Sequence, residues 1–128
     1  MNEKKAPKSG TLDHIAVDVK DLEEALQFYT RILGLKEQAT PDNVRANGVL
    51  WLQWDDGTVF HLIRSAGMSP PVLGHLAVCV EDAEAWREYI SAMGVDIESP
   101  KVQVYNAKRF FVRDPSGNRL EFVQWLKE

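Results

Sequence analysis

The chain has 128 residues, 45% hydrophobic and 27% charged, which suits one folded domain with its own core. Its net charge of −4 argues against a nucleic-acid partner, which would select a basic face. The one cysteine, Cys79, excludes an intrachain disulfide, and no apolar run approaches the roughly 18 residues that span a bilayer.

A reducing, cytoplasmic setting is the expectation. Residues 1–10 carry Lys4, Lys5 and Lys8 with no hydrophobic segment behind them, so a flexible tail is expected rather than a secretory signal. Residues 12–19, rich in Ile and Val, predict a strand. Asp21 follows as a helix N-cap, with Glu24 completing a capping box. Leu22, Ala25, Leu26, Tyr29 and Leu33 keep the helical period, and Gly34 suits the left-handed residue past the helix end. Strands are expected at about 36–40, 49–54 and 58–64, with Asp55-Asp56-Gly57 turning the chain between the last two. Residues 65–74, with Pro70 and Pro71, read as a linker.

The same order then begins again. A strand is expected at 73–80, an N-cap at Asp82, and a helix through Ala85, Trp86, Tyr89, Ile90 and Met93 to Gly94. Strands at about 95–98, 108–113 and 119–125 follow, the last two joined by Asp114-Pro115-Ser116-Gly117. The landmarks superimpose: His14-Ile-Ala-Val-Asp-Val-Lys-Asp21 lies over His75-Leu-Ala-Val-Cys-Val-Glu-Asp82, 61 residues on. Gly34-Leu35 lies over Gly94-Val95, and Gly57-Thr-Val-Phe-His61 over Gly117-Asn-Arg-Leu-Glu121, each 60 residues on. This internal repeat predicts an α+β domain over 11–128, made of two tandem β-α-β-β-β modules at about 11–64 and 73–126.

Strand alternation puts His14 and Ala16 on one face and Ile15, Val17 and Val19 on the other; His75 and Ala77 oppose Leu76, Val78 and Val80 in the same way. The aliphatic faces must bury themselves against the helices, so the histidines face away, with small alanines leaving room beside them. His61 and Glu121 occupy one slot in the last strand of each module. An approximate two-fold relation between modules would converge His14, His61, His75 and Glu121. Three imidazoles and a carboxylate suit a divalent ion such as Zn, Ni, Fe, Co or Mn. A bare inward Glu121 would be costly, and a metal removes that cost. A lone strand histidine usually packs or is solvated; here all three histidines fall on corresponding positions of the repeat.

Most of Trp51, Trp54, Phe60, Phe110, Phe111 and Trp125 are expected in packing, with Trp51 and Trp54 on opposite faces. Arg45, Arg64 and Arg109 read as solvated strand-edge charges rather than clamps for a carboxylate or phosphonate. Cys79 shares the His75 face and is expected to be a small buried thiol. Tyr105, in a loop, is a candidate lid or proton donor.

The segments His14-Ile-Ala-Val, Phe28-Tyr29, Gly34-Leu35 and Phe111-Val-Arg-Asp-Pro-Ser-Gly-Asn-Arg-Leu-Glu121-Phe resemble the vicinal oxygen chelate superfamily. That superfamily includes glyoxalase I, methylmalonyl-CoA epimerase, fosfomycin-resistance enzymes, extradiol dioxygenases and bleomycin-binding proteins. The resemblance covers about 11–125 and implies a glyoxalase-like fold, a curved mixed sheet around a central metal-binding cavity. It implies metal ligation by His14, His75 and Glu121, with two substrate oxygens on the ion. His61 divides the families: it is a fourth ligand, or an acid-base group beside the metal as in the dioxygenases. Phe111 stands where a dioxygenase would carry Tyr, and His61 where glyoxalase I would carry a carboxylate. The resemblance therefore implies a metal-dependent lyase, isomerase or epimerase with Glu121 and His61 in the chemistry. The alternatives are a single-domain ring-cleaving dioxygenase and a non-catalytic drug-binding resistance protein. It also implies a small-molecule substrate, and since relatives close the site within one chain or across two, a homodimer is the preferred but open expectation.

Overall fold

In the computed structural model, which describes residues 5–101 and 106–127, the first module runs β1 (His14–Val19), α1 (Leu22–Arg31), β2 (Lys36–Gln38), α2 (Asp42–Ala46), β3 (Val49–Gln53) and β4 (Val59–Arg64). The second runs β5 (His75–Cys79), α3 (Ala83–Ala92), β6 (Ala107–Arg113) and β7 (Arg119–Trp125). Both long helices start at an aspartate. Asp21 accepts from the Glu24 amide at 2.9 Å and Asp82 from the Ala85 amide at 3.0 Å, so each satisfies one of the amides that a first helical turn leaves free.

The strands form two sheets, ordered β1-β4-β3-β2 and β5-β7-β6. Each module's first strand lies parallel to its last, as a helical crossover requires, and the other pairs are antiparallel. The strand expected at 95–98 is reduced to one bridge, in which Glu98 and Phe111 exchange two backbone bonds of 2.8 Å. Pro100, two residues on, has no amide with which to extend the ladder. The five-residue α2 was not foreseen; it is too short to display a helical period.

One core serves both modules. Phe28, Tyr29, Phe60 and Leu62 from the first module pack in the same cluster as Ile90, Phe110, Leu120 and Phe122 from the second. Polar latches cross the seam. The Tyr29 hydroxyl donates to Asp114 at 2.8 Å, the Asn118 amide to the Asp18 carbonyl at 2.7 Å, and the Lys20 amide to the Ser116 hydroxyl at 2.8 Å. The β6–β7 turn thus grips the end of β1. Its Gly117 has φ +92, and a Cβ there would lie 2.8 Å from Pro70 of the linker. That residue is glycine both for its backbone and for the approach of the linker. With the inner faces of both sheets spent on the shared core, the opposite faces carry the histidines.

Candidate metal centre

In the first module, alternation along β1 leaves His14 and Ala16 exposed while Val19 is buried. His61, in the adjacent β4, stacks between two rings: His14 at 4.1 Å between centroids and Trp51 of β3 at 4.9 Å, the latter nearly parallel at 7°. Desolvation by these neighbours, with the nearby His14 second, holds the His61 pKa below its ordinary value, so the neutral imidazole is favoured. The His14 Nδ1 lies 2.8 Å from the Asp13 carboxylate, which can only accept. Nδ1 therefore donates, and in the neutral imidazole Nε2 presents a lone pair, the orientation found in metal-binding histidines. Trp51 sits directly between Gln38 and His61 in the register. The Trp51 Nε1 and Gln38 Oε1 atoms are buried without hydrogen-bond partners.

The second module builds its half differently. His75 Nδ1 lies 2.8 Å from the Leu73 carbonyl, so it too must donate, and Nε2 faces Glu121 Oε1 at 3.0 Å. Two acceptor lone pairs at that distance need a cation between them, either a proton or a metal. Glu121 is 4% exposed, and its other oxygen receives Arg109 Nη1 at 3.3 Å. Phe111 lies edge-on to His75, with centroids 5.5 Å apart, and carries the Arg119 guanidinium on its face at 3.6 Å.

The chain therefore pairs His14 with His61 and His75 with Glu121. Among the described residues no three His, Cys, Asp or Glu side chains converge closely enough to hold an ion within one chain. A hollow of about 680 Å³ between α3 and residues 94–97 contains none of the four. Trp51 and Trp54 lie on opposite faces, as expected: Trp51 stacks on His61 and Trp54 packs on Phe60. Arg45 is exposed near Glu37. Two expectations fail. Cys79 is exposed, because it shares the open His75 face rather than the core. Arg109 is no solvated edge charge: its side chain is 11% exposed and ion-paired to Glu121. Alternation carried the missed signal, since Arg109 and Arg119 stand two residues from Phe111 and Glu121 on the same face. Tyr105 lies outside the described residues.

The model of the Glyoxalase/Bleomycin resistance protein/Dioxygenase superfamily matches residues 11–122. The chain belongs to that superfamily. It is 28% identical over 121 residues to a lactoylglutathione lyase from Haemophilus influenzae, covering 87% of this chain and 90% of that one. A solved glyoxalase/dioxygenase from Nostoc punctiforme superimposes with a TM-score of 0.76 at 21% identity, covering 99% of each chain. The fosfomycin resistance protein FosX from Listeria monocytogenes, solved with Mn(II) and sulfate, gives a TM-score of 0.78 at 18% identity over 93% of each chain. Superfamily membership fixes the glyoxalase-like α+β architecture. No helix among the described residues is long and apolar enough to cross a membrane.

Proposed function

We propose that this superfamily member is a metal-dependent enzyme of the lyase or isomerase kind, acting on a small substrate with two neighbouring oxygens. One divalent ion is held by His14 and His61 of one chain and by His75 and Glu121 of a second copy. The observation that carries this reading is the geometry at His75. Its Nδ1 is spent on a carbonyl, so its Nε2 is turned to the Glu121 carboxylate 3.0 Å away, and the two meet at a point where a cation can sit. His14 is oriented in the same way by Asp13. Each module thus offers half of a four-donor set, and a two-fold dimer joins unlike halves twice. The exposed Leu12, Val72 and Leu73 at the entrances to β1 and β5 supply apolar surface for that contact.

A bound ion would act as a Lewis acid, stabilising negative charge that develops on the substrate oxygens. The remaining work falls to the chain. Asp13 and the Leu73 carbonyl fix the tautomers, and Arg109 holds the outer oxygen of Glu121. His61, kept neutral between Trp51 and His14, is available as ligand or as proton acceptor.

Complementation tests the reading. His14→Ala and His75→Ala should each lose most of the affinity for Ni²⁺ or Mn²⁺. Co-expressed in equal amounts, they should recover about a quarter of the wild-type sites, because half the dimers then contain one intact set. No recovery would show that each site is confined to one chain, and failure of the wild type to bind either ion would end the proposal. A His61→Ala protein that keeps its ion but loses turnover would instead support the dioxygenase-like role, with His61 as acid-base group beside the metal.

A further inference from the structure

Resting on the metal reading above, we infer that the site selects substrates carrying an oxyanion group, such as a carboxylate or phosphonate, beside the oxygens offered to the metal, and that Arg119 receives it. The repeat supplies a control within the molecule. Sixty residues earlier, Glu121 corresponds to His61, Phe111 to Trp51, Arg119 to Val59 and Arg109 to Val49. The registers agree, since Trp51 pairs with His61 as Phe111 pairs with Glu121. The sheet is therefore built with valine at these two positions in one half and arginine in the other. Architecture alone does not call for the arginines.

Their placement is specific. Arg119 lies directly opposite His75 in the β5–β7 register, and Arg109 is two pairs beyond the Phe111–Glu121 pair along β6. The two flank the donor pair from opposite ends. Arg119 is held flat on Phe111 and only 17% of its side chain is exposed. Its recorded acidic neighbour, Glu98, is 3.8 Å away and lies nearer to Arg113, at 3.3 Å. A planar guanidinium fixed by stacking matches a carboxylate or phosphonate with little loss of entropy. Charge balance points the same way. A divalent ion on three neutral imidazoles and Glu121 retains one net positive charge, and Arg109 and Arg119 add two more in a part-buried setting. Asp13 on His14 and Glu98 near Arg119 offset two of these charges, and an anionic substrate offsets the one that remains.

The test uses hydroxamates, which present the same pair of oxygens to a metal with or without an added charge. Acetohydroxamate is compared with malonohydroxamate and succinohydroxamate, by calorimetry, on the Ni²⁺-loaded full chain. At least one carboxylated probe should bind about tenfold more tightly than acetohydroxamate. Arg119→Gln should abolish that preference and leave acetohydroxamate affinity unchanged, while Arg119→Lys, which keeps the charge, should retain part of it. Equal affinities of all three probes for the wild type, or a preference that survives Arg119→Gln, would overturn the inference while leaving the metal site standing. Absence of ion-dependent acetohydroxamate binding would remove both proposals together.

Discussion

The two halves of this molecule answer one structural plan with different physics. In the first, three rings lie against one another, with the exposed Asp13 carboxylate on the outer edge of His14. In the second, the equivalent strands carry a buried carboxylate between His75 and Arg109, with Arg119 stacked on Phe111 alongside. Sheet register dictates which positions become neighbours, but not what force acts between them. The first half is held by dispersion and tolerates dilution of its contacts; the second is held by charge, and removing one member strands the others.

That contrast predicts unequal responses to deletion. Glu121→Ala should cost about 3 kcal/mol or more in urea unfolding, because it leaves the Arg109 guanidinium facing a cavity instead of a carboxylate. His61→Ala at the equivalent position should cost only about 1 kcal/mol, the worth of its stacking. Similar losses for both variants would mean that the second half is no more charge-dependent than the first.

The seam between the halves offers a sharper cut. Asp114 accepts from the Tyr29 hydroxyl and from the Ser116 and Asn118 amides, whereas sixty residues earlier the same position is Trp54. Among the described residues, the second module's turn is therefore the one whose side chains latch the other half. Burial first, and then Asp114, raise the Tyr29 pKa well above its ordinary value, so the hydroxyl remains a donor at any working pH. Tyr29→Phe should cost about 2 kcal/mol, since it deprives a buried carboxylate of one donor. A loss below about 0.5 kcal/mol would show that the remaining amides satisfy Asp114 alone.

Much of this was legible before any coordinates. The offset between Gly57-Thr-Val-Phe-His61 and Gly117-Asn-Arg-Leu-Glu121 announced the duplication, and Asp21 and Asp82 marked both helix starts, because capping and turn chemistry are local. The open faces of β1 and β5 followed from alternation alone. What escaped depended on distance in space. Nothing local distinguishes Arg109 as a solvated edge charge from Arg109 as the buried counterion of Glu121, twelve residues away in sequence. Nor does a repeat reveal whether its two halves meet within a chain. The sequence predicts convergence of four donors, and the single chain brings them together as two pairs. Cys79 was misjudged for a related reason: burial was assigned by residue type, when it is decided by which face of β5 the residue occupies.

The smallest effect expected is one of pH, and it belongs to the first half. The folded state holds the His61 pKa below its unfolded value, chiefly by desolvation. Above the unfolded value both states are neutral there, and the stack contributes fully to stability. As pH falls through the unfolded value toward the depressed folded one, the unfolded chain takes up its proton first, so stability is lost on acidification. Metal affinity should fall over the same range, because imidazole ligands bind only when neutral. Denaturant titrations of the metal-free protein between pH 7.5 and pH 5 should therefore show a decline that His61→Gln lessens. A wild-type decline unchanged by that substitution would show that His61 does not carry the acid sensitivity.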